Sequence, residues 1–158
     1  MKPMDPETNI FRTLLVDASP VAVWKALTEP ELTKLYMGAM IQGDLEPGKK
    51  IEWIFREERN EPVLVAKGTL LAVQPGERLR YTTYSPSSKL PDEPASHTTV
   101  DLHLISDEEG RTRVELWQGD FAGLPLAVRR TREVGKLWVE KLVGLKRVAE
   151  ELAQAKAA

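Results

Sequence analysis

Apolar and polar positions divide the chain into a middle of strand period and a C-terminal stretch of helical period. From Thr131 to Ala155, Val134, Leu137, Trp138, Leu142, Leu145, Val148, Ala149 and Leu152 recur at steps of three and four. That spacing predicts a helix with one buried face. Lys136, Glu140, Lys141, Lys146, Arg147, Glu150 and Glu151 stand between them and predict a solvated opposite face. No proline interrupts the run. At ~1.5 Å per residue the helix is roughly 37 Å long, enough to cross a small domain.

Upstream, Ile10 to Asp17 reads as a strand with Ile10, Arg12, Leu14 and Val16 on one face. Ser19 before Pro20 is an N-cap followed by proline at the first helical position, opening a short helix from Val21 to Leu27. Thr28 and Glu31 have capping-box spacing and predict a second short helix from Glu29 to Tyr36. Strands follow at Met40–Leu45, Lys50–Glu57, Val63–Gln74, Leu79–Ser85, Ser96–Ser106 and Thr112–Gln118. Turns at Pro47-Gly48, Asn60 to Pro62, Pro75-Gly76 and Asp107 to Gly110 separate most of them, and Pro86 to Pro94 is the longest loop. Period-two alternation puts Ile51, Trp53 and Phe55 on one face, and likewise Leu79 with Tyr81, Leu102 with Val100, and Leu116 with Val114. Gly68, inside a strand, marks a bulge or a close backbone approach.

This order predicts an α+β fold: a curved antiparallel sheet of about seven strands, two short helices after the first strand, and a long C-terminal helix across the concave face. A strongly curved sheet wrapped round one helix encloses more volume than the helix fills, so the architecture predicts a cavity. Residues 1–9 read as a flexible polar leader and residues 10–156 as a single domain.

Composition narrows the function classes. Hydrophobic residues make up 42% and charged residues 29%, as in an ordinary globular protein, and the formal net charge is −2. That balance gives no electrostatic basis for general nucleic-acid binding. No apolar run approaches the length of a membrane span, and no signal-peptide core is visible, so the expected setting is cytoplasmic. The absence of cysteine excludes disulfides, thiolate metal sites and a cysteine nucleophile.

Three stretches resemble one known family. Val16-Asp17-Ala18-Ser19-Pro20 leads to Val23-Trp24-Lys25-Ala26-Leu27-Thr28-Glu29-Pro30. Gly43 to Gly48 is followed by Gly68 to Val73, Pro75 and Leu79-Arg80-Tyr81-Thr82. Thr112 to Leu116 leads to Phe121 and the long helix. In order and spacing they are similar to the START-like (SRPBCC) superfamily, in the branch named for the C-terminal domain of the Hsp90 ATPase activator. The chain departs from that pattern at Tyr36, where tryptophan is usual, at Gln118, where histidine is common, at Asp120, in a glycine slot, and at Leu137, where a glycine often precedes the helix tryptophan. Leucine there implies a narrower cavity. The resemblance implies a helix-grip fold of START/Bet v 1-like type, with a hydrophobic pocket between sheet and helix. Superfamily members bind lipids, sterols, polyketides or plant hormones; some are cyclases or hydrolases, and the Hsp90 activator itself supports a chaperone.

Candidate chemistry is sparse. His97 and His103 lie six residues apart on one strand, roughly 20 Å at ~3.4 Å per residue, too far for one metal ion. No metal site, cofactor site or catalytic triad is predicted, and no phosphate-binding or nucleophile-elbow motif occurs. The aromatic positions carry more. Trp53, Phe55, Tyr81 and Trp138 converge on the predicted interior with Leu102, Leu116 and Leu142, and Tyr36 and Met37 close one end. Tyr81 or Gln118 supplies the polar group that orients a ligand. Arg129, Arg130 and Arg132 gather where the helix begins, against its dipole by ~0.3–1 kcal/mol each, and are candidates for binding the anionic group of an amphipathic ligand. Trp117 has outward parity and, if exposed, marks a dimer or partner contact.

The leading expectation is non-catalytic binding of a small hydrophobic or amphipathic molecule. Two alternatives stay open: an Hsp90-type chaperone accessory or other protein-interaction domain, and a cyclase- or hydrolase-like enzyme, which requires a buried carboxylate or tyrosine in the cavity.

Overall fold

The computed structural model describes residues 4–157. β1 (Ile10–Val16) is followed by α1 (Pro20–Thr28) and α2 (Pro30–Met37). Six more strands come next: β2 (Met40–Gln42), β3 (Lys50–Phe55), β4 (Val63–Gln74), β5 (Arg78–Thr83), β6 (Thr98–Ser106) and β7 (Thr112–Gly119). The long helix α3 (Ala127–Ala157) ends the chain. The strands form one seven-stranded antiparallel sheet in the order β1-β7-β6-β5-β4-β3-β2. Each strand from β2 to β7 is the neighbour of the next, with a long loop between β5 and β6, and β1 closes onto β7. This is the α+β arrangement that the order of elements predicts, and the helix-grip fold that the resemblance implies.

The first helix begins as its sequence dictates. The Ser19 hydroxyl accepts from the Ala22 backbone N–H at 3.2 Å, with Pro20 in the first turn. The second does not use its capping box. Thr28 is still helical in α1, and its hydroxyl donates back to the Trp24 carbonyl at 2.7 Å. Glu29 then caps α2 without a side-chain bond.

Helix α3 starts four residues earlier than its apolar stripe. The Arg130 N–H donates to the Leu126 carbonyl, and the Thr131 hydroxyl to the Ala127 carbonyl. Its buried face carries Trp138, Leu142, Leu145, Val148 and Ala149 against Val16, Val23, Leu79 and Leu102 in one continuous core. Two glycines permit close approaches. A Cβ on Gly68 would stand 1.6 Å from the Thr82 carbonyl oxygen, so β4 and β5 meet at their tightest there. A Cβ on Gly144 would stand 2.5 Å from the Tyr36 Cβ, so α2 reaches α3 only because that position is bare.

The polar N-terminal stretch contributes its end to the body of the fold. Thr8 and Asn9 are buried, and the Phe121 N–H donates to the Thr8 carbonyl. Residues 1–3 of the expected leader lie outside the described residues.

Candidate ligand cavity

Between the sheet and the first half of α3 lies a cavity of about 790 Å³. Small-molecule sites typically fall in the range of roughly 300–1,000 Å³. Trp53, Tyr81 and Val100 form the sheet wall, and Val134, Leu137 and Trp138 the helix wall. Ser85 to Leu90, with a short 3-10 turn at Pro86–Ser88, crosses one side, and Ser96 of a second such turn, Pro94–Ser96, also lines it. A cleft of only about 10 Å³ adjoins the cavity, shares Trp53, Tyr81 and Trp138 with it, and is no larger than one water requires.

The residues expected to form the site divide between these spaces. Met37, Trp53, Tyr81, Gln118 and Trp138 line the large cavity. Tyr36, Leu102 and Leu142 line only the small cleft. Leu116 is buried in the core and lines neither. Phe55 is a correction: it is 39% exposed. Trp53 pairs with Ala66 but Ile54 pairs with Leu64, so Val65 is an extra residue on β4. This bulge breaks the alternation. Trp53 and Ile54 are both buried, and Phe55 turns out of the interior. Leu137 lines the cavity and stays 51% exposed, so it stands at the rim and does not plug the interior.

Gln118 clamps the helix to the sheet. Its side-chain oxygen accepts from the Trp138 indole N–H at 2.6 Å, and its side-chain nitrogen donates to the Thr98 hydroxyl at 2.9 Å. Both ends of the amide are therefore engaged by the protein, and the indole plane is fixed against the cavity. The Tyr36 hydroxyl is likewise committed, donating to the Ala26 carbonyl at 2.8 Å. The Tyr81 ring packs 4.9 Å from Trp53, and burial pushes its hydroxyl well above the usual tyrosine range, so it stays protonated. Among the described residues that hydroxyl has no hydrogen-bond partner, and Tyr81 lines both spaces.

The residue missed by sequence reasoning is Lys141. It was assigned to the solvated face, yet it lines both spaces, with Nζ 5.0 Å from the centroid of the Trp138 ring. Burial draws its ammonium pKa below the ordinary lysine value, and no carboxylate offsets that effect. The signal was positional: Lys141 follows Val134 by seven residues and Trp138 by three, which places it on the apolar stripe.

The three arginines play separate parts. Arg129 pairs with Glu133 at 3.1 Å on the same helix. Arg130 donates to the Pro125 carbonyl at 2.6 Å and to the Ser88 carbonyl at 3.2 Å, tying the start of α3 to the loop across the cavity. Both line the cavity, whereas Arg132 is exposed and does not.

Outside the cavity, Asp92 joins Lys67 to His97, whose ring stacks on Tyr84 at 5.4 Å. On the other sheet face, Asp101 accepts from Arg78 and Arg80 and lies 3.3 Å from His103. Trp117 is half-buried there, under Arg80 and donating its indole N–H to Asn9 at 2.9 Å. Among the described residues no group of three histidine, aspartate or glutamate side chains could hold a metal ion. No helix among the described residues is long and apolar enough to cross a membrane.

Residues 17–150 match the family model described as activator of Hsp90 ATPase homolog 1-like protein. No curated protein matches in sequence. Among solved structures, a protein from Nitrosomonas europaea superposes with a TM-score of 0.72 at 22% identity, covering 95% of this chain and 99% of its own. One from Cytophaga hutchinsonii gives 0.71 at 27% identity, covering 92% and 96%. The Aha1 dimer from Colwellia psychrerythraea gives 0.68 at 19% identity, covering 90% and 96%.

Proposed function

We propose that this chain, which belongs to the family of activator of Hsp90 ATPase homolog 1-like proteins, binds a small hydrophobic or amphipathic molecule in the cavity between its sheet and its C-terminal helix. The observation that carries this reading is the cavity of about 790 Å³, walled by Trp53, Tyr81 and Trp138. The aromatic wall favours an apolar body, and the serines, threonines and charged side chains on the rest of the lining supply groups that orient it. Of the two tyrosines lining the cavity, Tyr81 is held neutral by burial and Tyr84 donates its hydroxyl to the Leu90 carbonyl, and the one lining carboxylate among the described residues, Glu133, is paired with Arg129. Binding without catalysis in a cytoplasmic setting is therefore the reading we favour. Native mass spectrometry of freshly purified protein tests it. An apolar adduct released on denaturation is the expected result. An unliganded mass, together with no uptake of alkyl alcohols or acids in titration, overturns it.

The family supports a second reading, an accessory to an Hsp90-type chaperone. The observation in its favour is a row of exposed apolar side chains on the helices, Val139 and Val143 of α3 and Leu35 of α2. Stimulation of an Hsp90-type ATPase by the purified protein, abolished by V139E/V143E, is the expected outcome. Equal stimulation by that variant removes this surface from consideration.

A further inference from the structure

The cavity's charge differs in sign from that of the whole chain. The formal net charge is −2. Yet Lys89, Arg129, Arg130 and Lys141 line the cavity against a single carboxylate, Glu133. Glu133 is held by Arg129, and Arg130 is held by backbone carbonyls. Lys141, part-buried, is alone among these cations in lining both the large cavity and the small cleft, with its Nζ over the Trp138 ring. Among the described residues it has neither an ion pair nor a hydrogen bond. Tyr81, whose hydroxyl makes no hydrogen bond among the described residues, lines the same two spaces. An ammonium withdrawn from water without a counter-ion is unfavourable, and the indole face compensates only in part. Two donors of this kind beside an apolar wall suit one ligand group, a carboxylate at the end of an apolar body.

We propose that the occupant is an apolar monocarboxylic acid, its carboxylate received by the Lys141 ammonium and the Tyr81 hydroxyl and its body lying along Trp53, Val100 and Trp138. The proposal rests on the cavity being a ligand site and adds the class of ligand. A charge-assisted bond from a desolvated ammonium is stronger than one in water, and the basic rim favours approach of an anion.

Decanoic acid and decan-1-ol, titrated calorimetrically into the wild type, K141M and K141R, test it. Methionine keeps the apolar stem and removes the charge; arginine keeps the charge. The wild type should prefer the acid by at least tenfold. K141M should lose that preference while binding the alcohol as well as before, and K141R should retain most of it. A K141M protein that still prefers the acid by the wild-type ratio overturns the assignment, as does a wild type that binds both probes equally. Failure of both probes to bind the wild type removes the cavity reading itself, a separate outcome. Matching thermal midpoints for the three proteins establish that the variants are folded; if K141M is not, loss of the acid preference in Y81F decides the matter.

Discussion

Gln118 shows how one side chain decides the shape of the cavity. Its amide joins the Trp138 indole to the Thr98 hydroxyl, so helix and sheet are tied through a buried polar bridge. Q118L leaves the indole N–H without its acceptor in an apolar setting. Such a change costs about 1–3 kcal/mol, to be read as a lower urea midpoint at unchanged slope. Lys141 gives a pH signature of its own. Its folded pKa lies below its unfolded value, so between the two the unfolded chain holds the extra proton, and stability rises with pH. Tyr36 and Tyr81 face it from α2 and β5, and their raised pKa values act in the opposite sense above about pH 10. Lys89, Arg129, Arg130 and Glu133 line the same cavity and are common to the wild type and K141M. The lysine contribution is thus the difference between the wild type and K141M. That difference should shift in favour of the wild type as pH climbs from 7 towards about 10, and a flat difference in denaturation midpoint counts against the burial of the ammonium. Residue type concealed Lys141 in the sequence. Its position on the stripe was visible, but a lysine among apolar neighbours reads as solvated unless the wall opposite it is known. Trp53, Tyr81 and Trp138 were legible because their parity and chemistry agree.

At the scale of elements, Gly144 sets the distance between α2 and α3. Alanine favours a helix over glycine by roughly 1 kcal/mol. Here its Cβ would meet the Tyr36 Cβ at 2.5 Å, a backbone-proximal atom that cannot swing aside. The clash outweighs the propensity, so G144A should destabilise the protein by about 1–3 kcal/mol, measured by chemical denaturation. Legibility at this scale follows locality. The Ser19-Pro20 start, the strand order and the α3 stripe are written in neighbouring residues. The unused capping box is not, because Thr28 has a competing acceptor one turn back, the Trp24 carbonyl. The β3–β4 bulge is not either, because Val65 becomes an extra residue only once a partner strand fixes the register. That bulge, invisible to the alternation, took Phe55 out of the interior.

For the molecule as a whole, the sheet face away from α3 is held by charge. Burial alone would raise the Asp101 carboxyl, but hydrogen bonds from Arg78 and Arg80 and the neighbouring His103 outweigh it and hold the group below the usual carboxylate range. Its contribution is complete above the unfolded value near ~3.9 and is lost as pH falls through the lower folded value. D101N should therefore lower stability at neutral pH by about 1–3 kcal/mol and flatten the acid limb of the wild-type profile, both seen in thermal midpoints across pH. The two basic partners come from one strand and the carboxylate from the next, so this clamp resists sliding of β5 against β6.

The bond from Arg130 to the Ser88 carbonyl joins the loop over the cavity to the first turn of the long helix. Its consequence is kinetic. On the binding proposed above, a guest passing that side would have to release the latch, so its residence time would depend on a contact between two parts of the protein. R130Q should quicken capture and escape of decan-1-ol, a neutral probe insensitive to the lost rim charge, together in stopped-flow tryptophan fluorescence, leaving its dissociation constant nearly where it was.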